Sequence, residues 1–281
     1  MHTILNLKKM ANKEMTLSDI QDLSITMLKS VDDFCIKNDI QYSLGYGALI
    51  GAVRHKGFIP WDDDIDIIMT RYNYQKFIKL FNNDKTISEK GLKLYAPELG
   101  NAYFCISRIC DMKRTQVRKY YQWTDDKTGI WIDVFPVDCL PEDGGNDIRT
   151  QSNRCFYVCE AYASFSKDFT LKRNVKIFVR RIKYWKKSRN IEIEKYLKKI
   201  DELPLYGSTE YVCNFGSPYK EKDIHKKDIF DNYIRLSFGN IEVSVIRQYD
   251  TYLRSLYGDY MELPPLNKRV RGHTNNIFYW K

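Results

Sequence analysis

Apolar residues recur at Leu17, Ile20, Leu23, Met27, Val31 and Phe34, the three-and-four spacing that lays one helix face on a core, and Thr16 or Ser18 is placed to cap it. A short apolar run from Ile40 to Leu44 predicts the first strand. From Asp64 to Met69 the period drops to two, so Asp64 and Asp66 point to one face and Ile65 and Ile67 to the other, where they can be buried. Thr70 then caps a predicted helix over Tyr72 to Phe81, ended by Asn82-Asn83-Asp84. Strand-forming runs follow at Leu92–Tyr95, Tyr103–Ile109, Thr115–Arg118 and Ile130–Phe135. Asn146 to about Leu203 reads as helix throughout, without a glycine. The C-terminal part offers a strand near Tyr211 to Phe215, a hairpin of Tyr233–Phe238 and Ile241–Val245 around Gly239-Asn240, and a helix from Ile246 to Tyr257 stopped by Gly258.

This mixture predicts an α+β fold. No internal repeat, low-complexity tract or flexible linker divides the chain, so 1–281 is expected to be one domain with a helical insertion at 146–203. With 281 residues it can bury a sizeable core, and its 21 tyrosines exclude a disordered protein. The net charge of +9 fits nucleotides, anionic lipid or nucleic acid as partners and does not choose among them. The seven cysteines include no CxxC pair and read as reduced residues, with Cys155 and Cys159, one helical turn apart, packing on a core. A secretory h-region is missing, and no run reaches the roughly 20 apolar residues of a membrane span, so a cytoplasmic protein is expected. Lys167 to Arg189 nevertheless holds ten Lys or Arg against Asp168 alone, around an apolar stripe of Leu171, Val175, Phe178, Ile182 and Trp185. Such a helix either packs its stripe with its charges solvated or lies on the anionic inner face of a membrane.

The candidate chemistry is concentrated in Gly45 to Met69. Asp62, Asp63, Asp64 and Asp66 place four carboxylates within five positions. Two carboxylates about 4 Å apart repel by roughly 4 kcal/mol at the effective dielectric near a protein surface. A hard divalent cation relieves that; Mg²⁺ suits it, with Mn²⁺ as an alternative, and it leaves positions for water and substrate phosphate. A strand ending near Tyr46, a turn at Gly47 and a short helix from Leu49 would aim backbone N–H groups at an anion, with Gly47 and Gly51 permitting close approach. Arg54, His55 and Lys56 would steady phosphate charge, although His55 is as readily a structural donor. Asp62 is expected behind or beside the bound substrate, and Asp63 either there or, more simply, solvated in the loop. Asp133 is a lone acid in an apolar strand and needs a partner, either a metal shared with Asp64 and Asp66 or water at a sheet edge.

The stretch GALIGAVRHKGFIPWDDDIDI resembles the signature of the LicD family, as do IDVFP around Asp133 and the C-terminal segments Tyr249–Arg254 and Tyr257–Pro265. After the first glycine the family carries a hydroxyl residue where this chain has Ala48, which leaves backbone contacts to phosphate but not a side-chain one. The resemblance implies a nucleotidyltransferase-like mixed β-sheet flanked by helices. It also implies transfer of a phospho-alcohol, phosphocholine from CDP-choline in the best-known members and ribitol or glycerol phosphate in others, to a cell-surface glycan or its lipid-linked precursor, with release of CMP. Asp64 and Asp66 would then hold the metal, with Asp133 as third ligand or as base. The alternative is a nucleotidyltransferase proper, which leaves the nucleoside monophosphate on a small-molecule or protein acceptor. A non-catalytic nucleic-acid or lipid binder fits less well, because no base-reading motif is present and the acids would repel a phosphate backbone. A choline headgroup would call for an aromatic cage, for which Tyr120, Tyr121, Trp123 and Trp131 are candidates by position.

Overall fold

The computed structural model describes residues 13–102, 104–119, 128–164, 188–272 and 276–281. Tyr120, Tyr121 and Trp123, and the apolar stripe from Leu171 to Trp185, lie outside the described residues.

Helix α1 (Leu17–Lys37) starts at Thr16 through a reciprocal capping box with Asp19. Its apolar face is buried at Ile20, Met27, Leu28 and Val31, and Phe34 meets Phe77 and Phe81 at ring distances of 5.6 and 5.0 Å. Strand β1 is only Ser43–Leu44, shorter than the predicted Ile40–Leu44, because the backbone N–H of Gln41 is taken by the Asn73 side chain instead of a neighbouring strand. A short helix α2 (Tyr46–Ile50) and a π-helical turn, Gly51–His55, lead to β2 (Asp66–Thr70). Helices α3 (Arg71–Phe81) and α4 (Lys85–Glu89) precede β3 (Leu92–Tyr95), β4 (Ser107–Asp111), β5 (Thr115–Lys119) and β6 (Trp131–Cys139). Strand β4 begins four residues later than predicted, since Phe104 leaves the sheet to pack with Ile148, Cys155 and Cys159.

Helices α5 (Asn146–Ser164) and α6 (Arg189–Asp201) pack on each other, and a second apolar cluster lies beside them; Cys155 and Cys159 are buried in it, as expected for packing residues. Strands β7 (Tyr211–Cys213) and β8 (Ile224–Lys226) follow, then the hairpin β9 (Tyr233–Phe238) and β10 (Ile241–Ile246), helix α7 (Tyr249–Tyr257) and β11 (Asn276–Trp280). Residue Ile246 stays in the strand because Tyr233 faces it and Ser43 Oγ accepts its N–H, so α7 starts three residues later than the pattern suggests.

The fold is α+β with a mixed sheet. Its path runs β1-β2-β6-β4-β3, with β7 on the far half of β6 and β8 on β7; β2 and β6 are parallel and the other pairs antiparallel. Strand β5 pairs with β11. Strand β6 runs through Pro136, a residue that cannot donate to a ladder. The N–H of Asp133 points to β2, so that of position 136 would point to the other side, where the β4 register stops at Ser107 opposite Val134. No donor is lost.

Candidate active site

The parallel pairing of β2 and β6 sets the site. Asp66 is opposite Asp133, and Asp133 is opposite Arg108 on β4, so three charged residues stand side by side in one row across three strands. Asp133 is the lone acid of the sequence, and its partner is Arg108: Nε donates to Oδ1 at 2.5 Å and Nη2 to Oδ2 at 3.2 Å, while Trp131 Nε1 donates to Oδ2 at 3.3 Å. The Arg108 guanidinium lies 4.8 Å from the Trp131 ring and 5.6 Å from that of Phe104. Thus Trp131, a candidate cage wall from sequence, packs on Arg108. Arg108 itself carried no sequence signal beyond being a basic residue in a strand.

Asp64 precedes the strand and Asp66 opens it. The alternation expected from Asp64 to Met69 is only partly realised: Ile65, Ile67, Ile68 and Met69 are all buried, because both faces of β2 are covered, and the acids mark where the covering is incomplete. Burial, and then the charges of Asp64, Asp133 and Asp62, hold the Asp66 carboxyl well above the usual carboxylate range, with Arg108 opposing. Asp62 is pushed up to about 8 by burial, by the charge of Asp64 and by a hydrogen bond with it. Among the described residues, Asp62, Asp63 and Asp64 bring carboxylate oxygens within 4.8 Å of one another. Carboxylates this close fit a hard divalent ion with oxygen ligands.

Asp63 is not a solvated loop residue. It is buried, with Arg271 Nε donating to its Oδ2, and an acid with only 4% exposure requires such a partner. Arg271 lies more than 200 residues away in sequence, so spacing could not reveal the pair.

The glycine segment differs from its expected course. The helix starts at Tyr46, three residues before Leu49, with Gly45 as its N-cap, so Gly47 lies inside the first turn. An ideal Cβ on Gly47 would lie 2.9 Å from Asp62 Oδ2, so its absence admits the carboxylate against the backbone. One on Gly51 would lie 2.4 Å from the Gly57 carbonyl oxygen, and that glycine serves the packing of the chain on itself. Tyr46 has φ of +47°, the left-handed region that a bulky residue enters at a cost of about 1–2 kcal/mol. Its side chain is fixed on every side. The hydroxyl donates to Asp223 Oδ2 at 2.8 Å and accepts from Asn214 Nδ2 at 2.9 Å, and the ring packs on Phe135 and Tyr219. Asp223 in turn meets His225 Nε2 at 3.1 Å.

The three basic residues are held in different ways. Arg54 donates to the carbonyls of Tyr260 and Glu262 and, through Nε, to His55 Nε2 at 2.9 Å. Burial first, and then Arg54, lower the His55 pKa, which makes it a neutral acceptor. Lys56 is exposed, with φ of +59°, and its carbonyl accepts the Gly239 N–H at 2.7 Å.

What the sheet and these side chains define is an α+β protein that presents crowded carboxylates, suited to a hard cation, at the start of two parallel strands. Comparison with known proteins shows what this arrangement is similar to. Residues 39–170 match the family model described as LicD/FKTN/FKRP, nucleotidyltransferase domain. The lipopolysaccharide cholinephosphotransferase LicD of Haemophilus influenzae is 28% identical over 280 residues, covering 95% of this chain and 99% of that protein. An uncharacterized protein of Rickettsia typhi is 27% identical over 164 residues, 57% of this chain and 48% of its own length. The chain is thus similar to the LicD family over residues 39–170 and to a named LicD protein over most of its length. Among the described residues no helix is long and apolar enough to cross a membrane.

Proposed function

We propose that this protein transfers phosphocholine from CDP-choline to a hydroxyl of a cell-surface glycan or its lipid-linked precursor, releasing CMP, with Mg²⁺ as cofactor. The matched domain and the likeness to a cholinephosphotransferase support a phosphotransferase. The observation that carries the finer reading is the row Asp66, Asp133, Arg108 beside the cluster of Asp62, Asp63 and Asp64, in a chain alignable almost end to end with a cholinephosphotransferase. Asp64, Asp66 and Asp133 would hold the ion, with Asp62 beside them. When bound, the ion would neutralise diphosphate charge and stabilise the leaving phosphate.

Catalysis of this kind is positioning and charge neutralisation rather than covalent chemistry by the protein. The acceptor oxygen attacks the phosphorus bearing choline, the bond from that phosphorus to the bridging oxygen breaks, CMP leaves with the electron pair, and the acceptor proton passes to a carboxylate of the row. The π-turn places Lys56 at the exposed end of the glycine segment, where it can meet donor phosphate, while Arg54 keeps the C-terminal segment in place through its carbonyl contacts. The same reading takes the sheet as nucleotidyltransferase-like, the chain as one domain with residues 146–203 inserted, and its site of action as the cytoplasm, in peripheral contact with the membrane that carries the acceptor.

The family description favours one rival, transfer of the nucleoside monophosphate itself. Product analysis separates the two. Incubation with a panel of CDP-alcohols, Mg²⁺ and candidate glycans should release CMP and leave the alcohol phosphate on the glycan; nucleotide found on the acceptor would establish the rival.

A further inference from the structure

An unbroken run of aromatic rings leads away from the carboxylate row. Asp133 and Phe135 lie two apart on β6 and share a face. Phe135 meets Tyr46 edge to face at 5.5 Å, Tyr46 stacks on Tyr219 at 5.8 Å and 18°, and Tyr219 meets Tyr257 at 5.1 Å and 67°. Tyr46 is spent: its ring is buried and its hydroxyl is shared by Asp223 and Asn214. Tyr219 and Tyr257 are only half-buried. Their hydroxyls are joined at 2.9 Å, which fixes two ring faces at a steep angle to each other. Burial raises the pKa of both phenols, and the charge of Asp66 adds to the rise in each, so the pair lies within the electrostatic reach of the acidic row.

Two aromatic faces set at an angle, within reach of a row of carboxyl groups, attract one kind of group better than others. A quaternary ammonium can neither donate nor accept a hydrogen bond, and it is held by ring faces and by nearby anions. A neutral polyol gains nothing from ring faces and needs hydrogen-bond partners that these rings, with their hydroxyls already joined, supply poorly. Tyr46 and Tyr219 are stacked face to face and offer nothing between them, whereas the half-buried rings of Tyr219 and Tyr257 meet at 67°, so their faces make a corner.

We infer that Tyr219 and Tyr257 form the subsite for the cationic alcohol of the donor and select a quaternary ammonium over neutral alcohols. This rests on the phosphocholine-transfer reading and refines it with residues from the C-terminal third. Neither tyrosine would act on the phosphate; each would be a specificity-determining residue.

The test compares CMP release from CDP-choline and CDP-ribitol by the full chain and by Tyr219→Leu, Tyr257→Leu, Tyr219→Phe and Tyr257→Phe. Each Leu variant should lose roughly ten-fold in kcat/KM for CDP-choline and much less for CDP-ribitol, while each Phe variant should lose less than its Leu counterpart. Equal losses on both donors, or Phe variants as impaired as Leu variants, would overturn the subsite, since a merely structural role moves both donors alike. Calorimetric titration of phosphocholine into the parent and the Leu variants reads the same site without turnover. Binding by the parent that weakens in the Leu variants supports the subsite, and no binding by the parent overturns it. If the parent binds phosphocholine yet releases no CMP from any CDP-alcohol, the transfer reading fails while the subsite stands.

Discussion

Replacing Arg108 by Met should expose how the carboxylate row is balanced. The substitution keeps the volume and apolar stem that pack against Trp131 and Phe104 but removes both donors to Asp133, whose side chain is only 8% exposed. Removing one partner of a buried ion pair costs about 3–5 kcal/mol, because the other charge is left without its counter-ion in a poor solvent. Unfolding entropy of about 2.1 cal/mol/K per residue gives about 0.6 kcal/mol per degree for a chain of 281 residues, so a loss of about 3 kcal/mol lowers the melting midpoint by about 5 °C.

The assay is thermal unfolding followed by near-UV circular dichroism, first in EDTA. Arg108→Met should melt about 5 °C below the parent. The double variant Arg108→Met/Asp133→Asn should recover much of the deficit, because the stranded charge is gone. Saturating Mg²⁺ should then stabilise Arg108→Met more than the parent, since the ion would reach a carboxylate that no longer has a guanidinium on it. If Arg108→Met melts within a degree of the parent in EDTA, or the two substitutions are additive, the ion-pair account of the row is wrong. Equal Mg²⁺ stabilisation of both proteins would remove Asp133 from the ligand set.

Other substitutions read neighbouring parts of the site. Asp66→Asn and Asp64→Asn should each lower CMP release by a hundred-fold or more with little change in melting temperature, and turnover at the parental rate would exclude them from the chemistry. Gly47→Ala and Gly51→Ala should part company in the same melting assay: the first presses on a mobile carboxylate end and should weaken Mg²⁺ binding at near-parental stability, while the second strikes the Gly57 carbonyl and should destabilise by about 1–3 kcal/mol. Asp62, at about 8 in the folded chain against roughly 3.9 unfolded, binds its proton more tightly when folded. Its contribution is complete below about pH 4 and is lost as pH rises through 8, so in EDTA the melting temperature should fall more between pH 5 and 9 in the parent than in Asp62→Asn; parallel curves would refute this.

The acids were legible in the sequence because they break a pattern. Four carboxylates at the mouth of an apolar run, and one inside another such run, have no place in a core. Their alignment was not legible. It depends on the parallel register of Asp66 with Asp133, which sequence alternation leaves free by any even number of residues. Helix α1 followed from spacing and its cap; α3 formed where expected, but Thr70 Oγ1 accepts from the Asn73 side chain and makes no cap hydrogen bond, and β1 and β10 departed from the pattern where the side chains of Asn73 and Ser43 captured backbone groups from a distance. Asp63 looked solvated for the same reason that Arg271 looked irrelevant: each explains the other, and nothing local joins them.

These long-range contacts share a direction. The acids and the glycine segment lie within residues 45–133, inside the stretch 39–170 that matches the family domain. The groups that fix them in place come largely from beyond it. Arg271 neutralises Asp63, the Arg269 guanidinium lies 5.6 Å from the Trp61 ring, and the Tyr260 and Glu262 carbonyls hold Arg54. Asn214 and Asp223 hold Tyr46 in a backbone conformation it would not adopt unaided. The N-terminal half therefore supplies the reactive charges and the C-terminal third their geometry, which fits a likeness to the Haemophilus influenzae LicD protein that runs over 95% of the chain instead of stopping at the domain boundary. A carboxylate cluster whose surroundings come from such distant segments takes its full geometry only when the whole chain has folded.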